Sequence, residues 1–251
     1  MSTVETAVGR FVWHDHMSDD PDAARRFYAD LLGWDFEIWK AGEWDYPMIK
    51  VNDTTHGGFG PSQGDAPPNW LCHVLVDDVD AAAGRVEAAG GSIVAPAMDI
   101  PEVGRMVVVA DPQGAVLSLY ASVGEPQVSE GVFVWDELMT TDVEDAKRFY
   151  GAVVGWETRD MDMGPNGTYT IFSSGGADRA GAMARPPQAE NVPPHWLTYL
   201  GTGDVDATAE KAKSLGANII MEPSDVPTVG RLAIFADPTG AVIGLFNPEA
   251  Q

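Results

Sequence analysis

FVWHDHMSDDPDAARRFYADLLGW, residues 11–34, and FVWDELMTTDVEDAKRFYGAVVGW, residues 133–156, decide the fold. Eleven of their 24 positions are identical, at a constant offset of 122. A second pair of segments, Gly90–Tyr120 and Gly216–Phe246, matches at 14 of 31 positions with an offset of 126. Composition alone would give about two such matches. The chain is therefore a tandem repeat. The polar, turn-rich Gly124-Glu-Pro-Gln-Val-Ser-Glu130 reads as the linker, which places domain 1 at residues 8–123 and domain 2 at 131–248.

Each copy carries a weaker internal symmetry, in which a strand leads into an Asp, a helix, a Gly and further strands. Asp20 reads as an N-cap with Pro21 at the first helical position. Ala24, Phe27, Tyr28, Leu31 and Leu32 then form one apolar stripe, which Gly33 ends. Ala146, Phe149, Tyr150, Val153, Val154 and Gly155 repeat the pattern. The second helix of each copy runs from near Asp78 or Asp204 to Gly90 or Gly216. Asp111-Pro-Gln-Gly114 and Asp237-Pro-Thr-Gly240 read as turns between strands. The order per copy is βαβββ twice, giving four modules.

Composition narrows the function classes. The chain has 251 residues and a net charge of −23, spread as −12 over residues 1–124 and −11 over residues 125–251. Such a surface repels nucleic acid and anionic lipid, so neither is an expected partner. The acidity serves solubility, or mildly favours cationic ligands. No stretch reaches the length of a membrane span. Met1–Thr6 has no basic or apolar leader character. Cys72, the single cysteine, suits a reducing cytoplasm and faces the helices as inert core.

Asp20…Phe27-Tyr28…Leu32-Gly33-Trp34, repeated as Asp142…Phe149-Tyr150…Gly155-Trp156, resembles the opening of vicinal-oxygen-chelate domains. Val76–Asp80 and Gly104-Arg105…Asp111-Pro112…Gly114 resemble their second half. The resemblance spans both copies, and within the superfamily it is closest to the double-domain bacterial type of the glyoxalase, bleomycin-resistance and extradiol dioxygenase group. It implies an α+β fold of tandem glyoxalase-like domains, each two βαβββ modules forming an open β-cup with helices outside. It also implies a monomeric pseudo-dimer or a homodimer. Metal-using members place a His seven residues before the first Asp, a His, Gln or Glu at the matching place in the second module, and a Glu seven residues after the Asp of Asp-Pro-x-Gly. The corresponding residues here are Trp13, Leu71 and Ser118, then Trp135, Leu197 and Gly244. None is a good ligand. No metal and no cofactor are expected.

The remaining candidates lie on strands whose residues alternate between faces. Trp13, Asp15 and Met17 face the expected cup, and His14 and His16 face the helices or the edge. His14-Asp15-His16 reads either as a metal cluster or as ordinary structural histidines. Asp15 and His73 are the candidate acid/base pair, with Glu137 and Tyr199 in the matching places of copy 2. Trp13, Met17, Leu71, Ser118, Tyr120, Trp135, Glu137 and Tyr199 are the candidate ligand-binding residues. Trp39, Trp44 and Tyr46 are aromatics extra to copy 1. Arg105 and Arg231 clamp an anion or pair with carboxylates. Gly57-Gly58-Phe59-Gly60 and Gly175-Gly176 read as strand-edge bends. Two functions follow. One is metal-independent binding of a small, partly aromatic molecule, as in drug- or metabolite-sequestering proteins. The other is a divergent lyase, isomerase or hydroxylase acting on a small oxygenated metabolite.

Overall fold

The computed structural model describes residues 7–41, 44–126, 131–164, 167–186 and 189–248, without the side chains of residues 41 and 44. Met1–Thr6, the end of the expected linker and the Trp44 side chain lie outside the described residues. Four βαβββ modules follow one another. Module 1 is β1 (Phe11–Ser18), α1 (Pro21–Leu32), β2 (Asp35–Ala41), β3 (Trp44–Val51) and β4 (Thr54–Pro61). Module 2 is β5 (Asn69–Leu75), α2 (Val79–Ala88), β6 (Ser92–Ile100), β7 (Gly104–Ala110) and β8 (Val116–Ser122). Module 3 is β9 (Phe133–Thr140), α3 (Val143–Val153), β10 (Glu157–Asp162), β11 (Thr168–Ser174) and β12 (Ala177–Ala184). Module 4 is β13 (His195–Gly201), α4 (Val205–Ser214), β14 (Asn218–Val226), β15 (Gly230–Ala236) and β16 (Val242–Pro248).

The strands form two mixed eight-stranded sheets, β2-β3-β4-β1-β5-β8-β7-β6 and β10-β11-β12-β9-β13-β16-β15-β14, neither closed into a barrel. Within a module the first strand pairs in parallel with the last, and the intervening hairpins are antiparallel. The helices of the four modules start the same way. Asp20, Asp78, Asp142 and Asp204 each accept the backbone N–H three residues on, satisfying an otherwise orphaned donor. Gly33 takes a left-handed conformation, φ 72°, and its N–H caps the Ala29 carbonyl.

By compactness the chain makes two units. The first joins modules 2 and 3 with the segment before Trp13, and the second joins modules 1 and 4. In the first, Phe149, Tyr150, Val153, Trp156 and Trp196 pack with Val86, Val107, Leu117 and Leu119. Cys72 is buried there, and burial pushes its thiol well up, as expected of inert core. In the second, Phe27, Tyr28, Leu31, Trp34 and Trp70 pack with Phe235, Ile243 and Leu245. Trp34 and Trp156, which close the repeated motif, are both buried.

The Asp-Pro-x-Gly turns latch each unit together. Asp111 uses one oxygen to accept the Gln113 and Ala115 N–H groups and the other to accept the Tyr150 hydroxyl at 3.1 Å. Asp237 accepts its own turn N–H groups in the same way and the Tyr28 hydroxyl at 3.1 Å. Each tyrosine hydroxyl in turn accepts an indole N–H, from Trp196 and Trp70 respectively. Only the second latch contains a histidine, because His16 is replaced by Leu138 in copy 2.

One expectation is corrected here. Gly57, Gly58 and Gly60 are not at a strand edge. They lie in β4, between β3 and β1. A Cβ on Gly57 would meet the His14 carbonyl, and one on Gly58 would meet the Tyr46 phenol. These glycines permit close approach of neighbouring groups. Gly175 and Gly176 form the turn between β11 and β12, with φ 60° and 77°.

Candidate functional site

Strand β1 alternates strictly. Val12, His14, His16 and Ser18 are buried, and Trp13, Asp15 and Met17 are half-buried on the opposite face. Parallel pairing sets Asp15 beside Gly58 and Met17 beside Gly60. Because Gly58 has no side chain, the Tyr46 ring from β3 lies across it and reaches Asp15. The Trp13 indole N–H donates to Asp15 Oδ1 at 3.0 Å and to the Tyr46 hydroxyl at 2.8 Å, while that hydroxyl donates to Asp15 Oδ1. Burial, followed by the Asp15 charge, pushes the Tyr46 phenol well above its ordinary range. It therefore stays protonated and donates at neutral pH.

Module 3 builds the same triad. Glu137 pairs with Gly181, and the Tyr169 ring lies where a Gly181 side chain would be. The Trp135 indole donates to the Tyr169 hydroxyl at 2.9 Å, and that hydroxyl is bonded to Glu137. Burial and then the Glu137 charge raise the Tyr169 phenol too. Tyr46 is thus not an extra of copy 1, since Tyr169 is its counterpart. Trp39 does distinguish the copies. It pairs with Tyr46 across the β2–β3 ladder and meets its ring edge-on at 6.3 Å, whereas Met161 holds that place beside Tyr169. The sequence offers a signal for these tyrosines in retrospect: a Tyr on the second hairpin strand, facing a Gly on the third, occurs in both copies.

The other candidates are placed as follows. His14 stacks on Phe133 at 4.1 Å, and His16 is fully buried with its Nε2 2.7 Å from Asp237. These side chains sit on the helix side and serve the core. His73 is buried and paired in register with buried Ser118, within the first unit, and Asp15 belongs to the second. Leu71 is half-buried. Tyr120 donates its hydroxyl to the Val103 carbonyl and covers Gly104. Tyr199 is buried, its ring occupying the space above Gly244. Arg105 is held by Asp80 and Asp99, and Arg231 by Asp206 and Asp225. Of the two readings of these arginines, carboxylate pairing is the one observed. The sequence reading gave no role to His56, which is buried at the irregularity in the β3–β4 pairing and whose imidazole is pushed down by burial despite the Val51 carbonyl.

A divalent metal of the kind the superfamily uses does not fit these residues. Trp13 and Trp135 supply indole N–H donors already committed to neighbours. Leu71 and Leu197 are hydrocarbon, and the Gly244 position is filled by the Tyr199 ring. Ser118 offers one buried hydroxyl, a poor ligand.

Paired βαβββ modules in open mixed sheets, with this repeated open face, define a double glyoxalase-type protein. The chain belongs to the glyoxalase/bleomycin resistance protein/dioxygenase superfamily: residues 133–245 match the model of that superfamily and residues 12–120 match a glyoxalase-like domain. It is 36% identical over 249 residues to "Putative glyoxylase CFP32" of Mycobacterium bovis, covering 95% of each chain. It is 32% identical to the anthracycline biosynthesis protein DnrV of Streptomyces peucetius, covering 94% of this chain and 92% of that one. Among solved structures, the Mn(II)-bound glyoxalase from Novosphingobium aromaticivorans superposes with a TM-score of 0.65 at 20% identity, covering 96% of this chain and 82% of that one. The 2,3-dioxygenase LapB from Pseudomonas sp. KL28 gives 0.66 at 15%, covering 96% and 93%. At these identities the structures share the fold. No helix among the described residues is long and apolar enough to cross a membrane.

Proposed function

We propose that this chain is a metal-independent binder of a small, flat, neutral or cationic molecule, with its principal site on the open face of module 1. The observation that carries this reading is the Trp13–Asp15–Tyr46 triad, which stands where the superfamily's first metal ligand would be. A carboxylate oriented by two neutral donors is placed to accept from a ligand N–H as well. The half-buried indole and Trp39 supply flat apolar walls. Met17 closes the lower edge against Gly60. Module 1 is favoured over module 3 because it carries the extra indole.

Benzamidine, a planar cation, is the probe. Calorimetry is expected to show binding to the wild-type protein that falls about tenfold or more in Asp15→Asn, the loss of one charge-assisted hydrogen bond, and that is also lost in Trp13→Ala. Equal binding by all three proteins would overturn the reading. The names of the relatives support a second reading, an enzyme acting on a small oxygenated metabolite with Asp15 as its proton-transfer group. Turnover abolished by Asp15→Asn while binding persists would favour it.

A further inference from the structure

The two triads are alike, but the strip of sheet beside each is not. Parallel pairing sets Met17 beside Gly60 in module 1 and Met139 beside Met183 in module 3. Gly60 and Met183 hold equivalent places, each two residues beyond the glycine that faces the carboxylate. Ala182 is buried in the core, so on this regular stretch of β12 Met183 shares the open face with Gly181. Its antiparallel partner is Tyr169, whose ring turns aside to lie over Gly181. Module 3 therefore carries a thioether side chain beside its triad where module 1 carries none.

Nothing in the packing of module 1 requires a glycine at position 60. Its φ lies outside the left-handed region that favours glycine. A Cβ there would meet only the Met17 thioether, with Sδ at 3.3 Å and Cε at 3.5 Å, the far end of a flexible side chain. Gly57 and Gly58 differ, because a Cβ on either would strike the His14 carbonyl or the Tyr46 phenol. Those two glycines serve close packing, whereas Gly60 leaves room. The carboxylates differ in the same sense. Asp15 is half-buried, while Glu137, on a side chain one methylene longer, is only 8% exposed.

We propose that this one position selects which copy takes the planar cation: Gly60 leaves module 1 open beside Asp15, and the Met183 side chain shuts an otherwise complete triad in module 3. Trp135, Tyr169 and Glu137 reproduce the indole, phenol and carboxylate of module 1. Exclusion from module 3 therefore comes from occupied space and not from missing chemistry. Methionine suits a cover of this kind, being unbranched, flexible and apolar. The ligand class rests on the reading given above for module 1, while the selecting position rests on the comparison of the two strips.

Benzamidine calorimetry on reciprocal variants tests it. Gly60→Met is expected to weaken binding by about tenfold or more relative to the wild-type protein. In the Asp15→Asn protein, where module 1 is disabled, adding Met183→Gly is expected to restore binding, and adding Glu137→Gln to that double variant to remove it again. Met183→Ala, which keeps a Cβ, is expected to restore it in part and serves where glycine unsettles β12. Far-ultraviolet circular dichroism and Tm establish that each variant is folded. Wild-type binding that Gly60→Met leaves unchanged, or that neither Met183 variant restores in Asp15→Asn, would overturn the proposal and leave the module 1 reading standing. Binding gained with Met183→Gly when the wild-type protein binds nothing would sustain the cover in module 3 and remove the module 1 reading. No binding by any of these proteins at millimolar concentration would overturn both.

Discussion

The difference between the two Asp-Pro-x-Gly latches yields a sharp expectation for His16→Leu, which gives the second unit the residue that copy 2 already has at Leu138. In the wild-type protein Asp237 accepts from His16 at 2.7 Å, and both side chains are fully buried. Burial pushes the Asp237 carboxyl up. The His16 hydrogen bond and charge, with the donors of Thr239, more than offset this and hold it below the usual carboxylate range. Asp111, with its turn donors and Tyr150 but no histidine, is raised by burial instead. Removing one partner of a buried pair costs about 3–5 kcal/mol when the other is left without a donor. Here the Asp111 latch shows what remains: turn N–H groups and a tyrosine still donate to the carboxylate. The loss is therefore set by one unmade charged hydrogen bond, about 1–3 kcal/mol. For a chain of this size that lowers Tm by about 2–12 °C. A group whose folded pKa is depressed contributes stability above its unfolded value, near 4, and loses it as pH falls through the folded value. The gap between wild type and His16→Leu should be full at pH 6 and narrow steadily below about pH 4. Calorimetric Tm values from pH 6 to pH 3 measure it. An unchanged Tm at pH 6, or a gap that widens on acidification, would refute the reasoning.

Other outcomes follow from the same contacts. Tyr150→Phe should destabilise more than Tyr28→Phe, because Asp111 then loses the one side-chain donor to its outer oxygen while Asp237 keeps His16; urea unfolding compares them. Gly58→Ala should cost about 1–3 kcal/mol through overpacking and should also displace Tyr46 and weaken benzamidine binding, read by calorimetry on the folded variant. Arg105→Ala should change stability by about 1 kcal/mol or less, since its partners are exposed. Elemental analysis of the purified protein should find no stoichiometric transition metal, and a metal bound through residues of either triad would contradict the donor set described above.

Much of the architecture was legible in the sequence because it is written locally. Capping aspartates, apolar stripes and terminal glycines specify each helix from within a dozen residues. Alternation along β1 specifies which of Trp13, His14, Asp15 and His16 share a face. Repetition of these signals exposed the four modules and their family. The absence of metal ligands at the superfamily's positions was equally a matter of residue identity.

Tertiary structure alone decided which side chains meet. His16 and Asp237 are 221 positions apart, and no local pattern relates them. Asp111 and Asp237 read as turn residues, and so they are, but their second oxygen is directed by the packing of the other copy's helix in the same unit. Tyr46 reaches Asp15 only because the β3–β4–β1 register sets Gly58 between them. Secondary structure is set by periodicity and caps, which are short-range. A site is set by strand register and by the room a missing Cβ leaves, and these exist only once the sheet has formed.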